Sequence, residues 1–303
     1  MAEIIQRDGT WTFDGETLRI VPGRDKGVGL LRKTLGELAV PVRALAAISF
    51  EQGKKSGRLR LRLRDGADPL LQVTHGKLDD ASDPYRLTVD SDRYGVAEYF
   101  VDEVRNALLL EQIPSEPSDS YLLPGPAVPV SATAGDGTVS FDGEQVRLEW
   151  KWNAEEAKSA AGIRTLTLED LAAVEWHPAV GWENGYLRFT VRHAPTKAPP
   201  KYDPNSVELF GFKKDPLMAL VAAAVRARMP HPSSPQEPAP ALTKSPPSAP
   251  SGTPEDTPGS GTPTGDDHDA LLRRLRELGE LHQSGILTDD EFSLAKQAIL
   301  KRL

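Results

Sequence analysis

With 303 residues, a formal charge of −8 and an isoelectric point near 5.4, the chain has room for about two ordinary domains and carries no global bias toward nucleic acid. Cysteine is absent, which excludes disulfides, thiolate metal sites and thiol nucleophiles together. Residues 1–7 form no apolar signal core, and the longest apolar run, residues 217–225, falls short of the roughly 20 residues that span a bilayer. A soluble, cytoplasmic protein is expected.

In chain order, residues 10–13 and 16–22 flank Asp14-Gly15, a strong hairpin signal. Arg24, Lys26, Arg32 and Lys33 surround an apolar tip at residues 27–31, which reads either as a loop packed on its own domain or as a membrane contact. Residues 40–51 are rich in Val, Ile, Leu and Ala and predict a strand. Residues 58–64 alternate, with Leu59, Leu61 and Leu63 on one face and Arg58, Arg60, Arg62 and Arg64 on the other, the pattern of a half-buried strand. Residues 70–74 and 85–89 predict two more strands. Over residues 92–112, Val96, Phe100, Val104 and Leu108 recur every fourth position and predict an amphipathic helix. Residues 113–135 hold Pro114, Pro117, Pro124, Pro126 and Pro129, which forbid regular structure, while Tyr121-Leu122-Leu123 predicts a linker docked on a domain surface.

The text then repeats. Asp8-Gly9-Thr10 and Phe13-Asp14-Gly15-Glu16 return as Asp136-Gly137-Thr138 and Phe141-Asp142-Gly143-Glu144. Leu45-Ala46-Ala47-Ile48 returns as Leu171-Ala172-Ala173-Val174, Asp83-Pro84 as Asp203-Pro204, and Val104-Arg105 as Val225-Arg226. Matches in one order at this separation mean a duplicated domain, residues 1–112 and 136–230. The second copy carries Val146, Leu148, Trp150 and Trp152 at alternate positions, which predicts a bulkier core. Pro195, Pro199 and Pro200 argue that the strand matching residues 70–74 is missing or confined to an edge there. Asp215 and Pro216 predict a capped start for its helix. Residues 231–266 are rich in Pro, Ser, Gly and Thr and predict a disordered linker. Residues 267–303 predict a helical hairpin: Leu271, Leu275, Leu278 and Leu281 form one stripe, Gly285 breaks it, Thr288 to Glu291 fit a capping box, and Phe292, Ala295 and Ile299 supply the facing stripe.

Several antiparallel strands closed by one amphipathic helix, present twice, resemble the pleckstrin-homology (PH)-like superfold. The Phe-Asp-Gly-Glu hairpins resemble a bacterial PH-like domain family of unknown function. The tail, with Gly285-Ile286, Thr288, Glu291, Phe292 and Lys296, resembles the SHOCT (short C-terminal) domain. The resemblance implies an α+β, mainly β fold: two PH-like antiparallel barrels or sandwiches, each closed by a C-terminal helix, plus the hairpin. It also implies self-association or partner binding through the tail, for which Leu271, Leu275, Leu278, Ile286, Phe292 and Ile299 are the candidates.

The candidate anion or partner surface is Lys54, Lys55, Arg58, Arg60, Arg62 and Arg64, which either binds an acidic group or is a solvated face paired with carboxylates. Residues 53–57 lack the glycine and the Ser or Thr that a phosphate loop requires and read as a turn. The hairpin loops Asp14-Gly15-Glu16 and Asp142-Gly143-Glu144 are short and acidic where phosphoinositide-binding PH domains carry basic residues. The six histidines show no metal-ligand spacing, and no nucleophile–base pair, cofactor fingerprint or catalytic residue stands out. The expected function is a non-enzymatic scaffold or adaptor with an unidentified protein partner. A peripheral protein of anionic membranes is the alternative, and nucleic acid is disfavoured.

Overall fold

In the computed structural model, which describes residues 1–114 and 116–233, each copy of the repeated sequence folds as two antiparallel sheets and one long helix. Repeat 1 runs β1 (Ala2–Gln6), β2 (Gly9–Phe13), β3 (Thr17–Pro22), a short helix α1 (Leu30–Leu35) and β4 (Leu38–Pro41), whose strands form one sheet in the order β1-β2-β3-β4. A single turn at Val42–Ala44 leads to β5 (Leu45–Glu51), β6 (Ser56–Leu63), α2 (Pro69–Thr74) and β7 (Arg86–Asp90), giving the sheet β5-β6-β7. Helix α3 (Tyr94–Leu110) completes the repeat. Repeat 2 follows with β8 (Val130–Ala134), a strand paired to the next that corrects the expectation of no regular structure over residues 113–135, then β9 (Gly137–Phe141), β10 (Gln145–Trp150), α4 (Glu156–Ala161) and β11 (Arg164–Thr167). Its second sheet is β12 (Leu171–His177), β13 (Gly185–Val191) and β14 (Ser206–Leu209), and α5 (Leu217–Arg226) ends it.

The repeated hairpins have one local cause. Asp14 accepts hydrogen bonds from the amides of Glu16 and Thr17 at 3.0 and 2.8 Å, and Gly15 supplies a φ of 108°. Asp142 does the same for Glu144 and Gln145 at 2.8 and 2.7 Å, with Gly143 at 120°. These amide bonds hold both carboxyls below the usual carboxylate range. The acidic loops are thus consumed by their own turns.

The expected barrel is corrected: among the described residues neither repeat closes its two sheets into a continuous ladder. Side chains stitch the seam between β1 and β7 instead. Gln6 accepts from the Asp90 amide at 3.2 Å and Asp8 from the Thr88 amide at 3.0 Å. In repeat 2, Asp136 accepts from the Glu208 amide at 2.8 Å. Each of these aspartates also meets a cation from the short helix inserted in its first sheet. Lys158 of α4 donates to Asp136 at 2.6 Å with side chains 0% and 2% exposed, whereas Arg32 of α1 approaches the Asp8 carboxylate at 3.8 Å and donates to its carbonyl at 2.9 Å. Burial lowers the Arg32 guanidinium from its ordinary value, against the pull of Asp8 and Asp83.

Four local expectations are also corrected. The strand expected at residues 70–74 is helix α2. Asp68 caps it, accepting from the Leu70 and Leu71 amides at 3.1 Å each, with Pro69 in the first turn. The buried Asp68 carboxyl is pushed up by desolvation and receives the Tyr85 hydroxyl at 2.8 Å; burial raises that phenol well above its usual value. The strand expected over residues 40–51 breaks at Pro41 into β4 and β5. Of the two readings of the apolar tip at residues 27–31, the packed loop is the one that fits, with Val28 and Leu31 buried. Trp152 lies beyond the end of β10 and stands in solvent, so the bulkier core does not include it. Asp215 does not cap α5; its carboxylate turns back to the amides of Gly211 and Phe212 at 2.7 and 3.0 Å.

Two cores result, and they are not divided as the sequence copies are. Trp11, Leu18, Leu45, Leu59, Phe100 and Val104 belong to the first. The second joins Phe141, Leu148, Leu187, Phe189 and all of α5 from Met218 to Val225, and it also takes Leu31, Leu70 and Val73 from repeat 1. Helix α2 packs against α5 and β12, and α1 also touches α5. From the linker, Leu123 is buried and the amides of Leu122 and Leu123 donate to the Ala67 carbonyl at 2.8 and 3.1 Å. Residues 234–303, and with them the expected hairpin and most of the linker before it, lie outside the described residues.

Candidate functional site

The β6 arginines sort into different environments. The odd positions Leu59, Leu61 and Leu63 are buried, so Arg58, Arg60 and Arg62 face solvent and Arg64 is half-buried. Arg58 shares Asp80 with Arg86, at 3.4 Å from its own side. Arg64 is a structural tie: its guanidinium donates to the Glu116 carbonyl at 2.8 and 3.2 Å and to the Arg43 carbonyl at 3.3 Å. Its counterpart Arg192 makes the matching bond to the Glu169 carbonyl at 2.9 Å. Lys54 and Lys55 lie in the exposed turn at the start of β6, away from Arg64, so the structure does not gather the six residues into one site.

Arg60 and Arg62 remain. Among the described residues neither makes an ion pair within 4.0 Å, and β5 sets Ser49 and Ala47 opposite them. Both line an open groove of about 840 Å³ with Ser49, Gln72 and His75, and with Asp83 near Arg60. Burial raises the Asp83 carboxyl, and the charges of Arg60 and Arg32 pull it back. In repeat 2 the same strand position is neutralised. Arg188 contacts the fully buried Asp203 at 3.0 Å, with an Nε–H not aimed at the oxygen, and Thr190 replaces Arg62.

A second groove of about 570 Å³ adjoins the first across Arg62, Leu63 and Arg64. Its walls are the free edge of β5, from Leu45 to Ile48, and the C-terminal half of α3, with Arg105, Leu108 and Leu109. Sequence reasoning missed this groove because it depends on which sheet edge the helix lies along. A signal was present nevertheless in the run Leu108-Leu109-Leu110, too long for one helix face.

The histidines are placed apart. His177 stacks on Tyr186 at 4.8 Å and its Nδ1 lies 3.3 Å from Lys77; burial, then that lysine, lowers its affinity for a proton. His231 accepts from the Ser233 amide at Nδ1 and meets the Gly66 carbonyl at Nε2, 3.0 Å away, against the edge of Tyr121. Among the described residues no cluster of His, Asp and Glu is arranged to hold a metal ion, and no helix is long and apolar enough to cross a membrane.

Residues 11–105 and 139–226 both match the family described as a domain of unknown function, DUF4429. The chain belongs to that family. The two DUF4429 segments coincide with the two structural repeats, and residues 273–300 match the short C-terminal domain, SHOCT. No curated protein matches the chain. Neither description names a ligand, so the chemistry rests on the grooves of the first DUF4429 repeat.

Proposed function

We propose that this DUF4429 protein is a non-enzymatic recognition module in which repeat 1, built on a PH-like plan, binds an acidic protein partner across β5 and β6. The observation that carries this reading is the pair Arg60 and Arg62, exposed side by side on a groove without ion partners among the described residues. Repeat 2 sets the first charge, Arg188, against the buried Asp203 and replaces the second with Thr190. An exposed guanidinium pair is suited to carboxylates by its planar, multiple donors. The charge-reversed variant Arg60→Glu/Arg62→Glu should lose binding to a labelled acidic probe, an Asp/Glu-rich peptide, while keeping its melting temperature, because exposed pairs contribute about 0–1 kcal/mol. Unchanged binding in the reversed variant would sink the reading. The SHOCT segment adds association or recruitment. Light scattering should then show an oligomer that Phe292→Asp dissolves, and a monomeric full chain at high micromolar concentration would refute that part.

A second reading has its own observation. Trp152, Trp182 and Phe212 are exposed, Trp182 fully, on loops at one end of repeat 2, beside Lys213 and Lys214. Aromatic tips flanked by lysine suit the headgroup region of an anionic bilayer. Sedimentation with phosphatidylglycerol vesicles should be lost in Trp182→Ala/Phe212→Ala. Equal sedimentation of the variant would remove this reading.

A further inference from the structure

The two copies can be compared along the same flank of the C-terminal helix. In repeat 2 the flank between α5 and β12 is occupied: α2 lies on it, contributing Leu70 and Val73, three residues apart on one helical face. Pro69 lies at the end near Ala227 and Ala223, and Tyr121 receives the Nε–H of Arg226 at 2.8 Å. The counterpart of Arg226 is Arg105, and the flank between α3 and β5 to which it belongs is the open 570 Å³ groove. Nothing among the described residues covers it. Leu109 on its wall is 76% exposed, and Leu108 and Ile113 are partly exposed beside it. Its charged lining is Arg62, Arg64 and Arg105 against a single carboxylate, Asp65; Arg64 is tied to the Glu116 and Arg43 carbonyls and Arg105 donates to the Ile48 carbonyl at 3.4 Å, while Arg62 makes no ion pair among the described residues. The molecule therefore holds a filled and an unfilled version of one kind of seat.

We infer that the β5–α3 groove, at the C-terminal end of the flank that α2 covers in repeat 2, receives a short acidic amphipathic helix of the partner protein. Two apolar side chains at i and i+3 or i+4 fill the space over Leu108, Leu109 and Ile113, the role that Leu70 and Val73 play on α5. Carboxylates on the flanking turn meet Arg62 and Arg105. Helical partners suit this seat because α2 needs only six residues and a cap to cover its flank. The inference rests on the proposed acidic-partner function and adds the partner's secondary structure and the groove that reads it.

The test uses the full chain and two labelled synthetic peptides of about fifteen residues with the same composition. One places Leu at i, i+3 and i+7 with Glu between them. The other scrambles that order and interrupts it with proline at the centre, so that no helix forms. Fluorescence anisotropy should show the helical peptide binding at least tenfold tighter than the interrupted one. Leu109→Glu and Arg105→Glu should each weaken it at least tenfold. Leu110→Glu should leave it unchanged, because Leu110, 83% exposed, lies next in sequence yet lines a different hollow with Met1 and Phe13. Leu109 is itself exposed, so its replacement should keep the melting curve. Hydrogen exchange should slow in residues 45–48 and 105–110 when the helical peptide is added. Equal binding of both peptides, abolished by Arg60→Glu/Arg62→Glu, would overturn the helix inference and leave the acidic-partner reading standing. Binding of neither peptide would overturn the helix inference, with the reading then judged by its own acidic probe. Helical binding that ignores Leu109→Glu and is displaced by residues 267–303 supplied as a peptide would place the ligand elsewhere and overturn it as well.

Discussion

Glu98, Tyr99, Asp102 and Glu103 on α3 stand where α5 carries Ala219, Leu220, Ala223 and Ala224. On α3, three of the four are exposed and Glu103 is partly so, while on α5 all four are buried. Both helices bury the same inner face against their own sheets, Phe100 and Val104 in one and Val221 and Val225 in the other. What differs is the outer side. Small apolar residues let α2 approach α5 closely, whereas α3 keeps charges that water solvates. The duplication has thus made one helix an internal strut and left the other with a surface.

The largest expected effect comes from giving α5 the outer face of α3. Ala223→Glu places an unpaired charge among buried atoms, which costs several kcal/mol. Circular dichroism should record a melting temperature lower by about 10 °C or more, or no folded protein. The mirror change, Asp102→Ala, should stay within about 0.5 kcal/mol. A tolerated Ala223→Glu would break the comparison. Next, Lys158→Met leaves Asp136 buried without its cation and should cost about 3–5 kcal/mol in urea unfolding. Arg32→Met should cost less, because the Asp8 side chain is 21% exposed. Equal losses would mean that the two ties are equally sealed. Third, Leu70→Ala should cost about 2–5 kcal/mol and shift one shared calorimetric transition of both repeats. Two transitions, with only the first displaced, would return α2 to repeat 1.

The smallest effect is in acid. Asp14 and Asp142 have folded pKa values below the ordinary 3.8. Each contributes stability that is present above that ordinary value and is lost as pH falls through the lowered one. Asp14→Asn and Asp142→Asn should each flatten the fall in stability below about pH 4, by matching amounts. A clear difference between the two variants, in melting temperature against pH, would deny that the turns are equivalent.

Much of this was legible in the residues. The repeat, both hairpins, the alternation of β6 and the long helices follow from spacing that local physics enforces. The α-helix at residues 69–74 is hidden in the sequence because Leu70 and Val73 sit in an apolar run that fits a buried strand as well; its local signal is the Asp68-Pro69 start. Arg64 reads as part of a basic row, yet carbonyls brought close by the fold engage it. The β5–α3 groove is a property of two elements far apart in sequence, and no single stretch encodes it. The contrast between Asp102 and Ala223, by comparison, stands in the sequence for anyone who aligns the copies.

The sharing of α2 bears on how the chain is made. A ribosome releases Leu31, Leu70 and Val73 long before Met229, and at ordinary elongation speeds the interval is roughly ten to thirty seconds. Through that time the first repeat carries a sticky flank whose cover has not been synthesised. A nascent chain stalled before α5 is therefore a natural client for holding chaperones, and a gene cut between its two copies would yield a first half that never finishes.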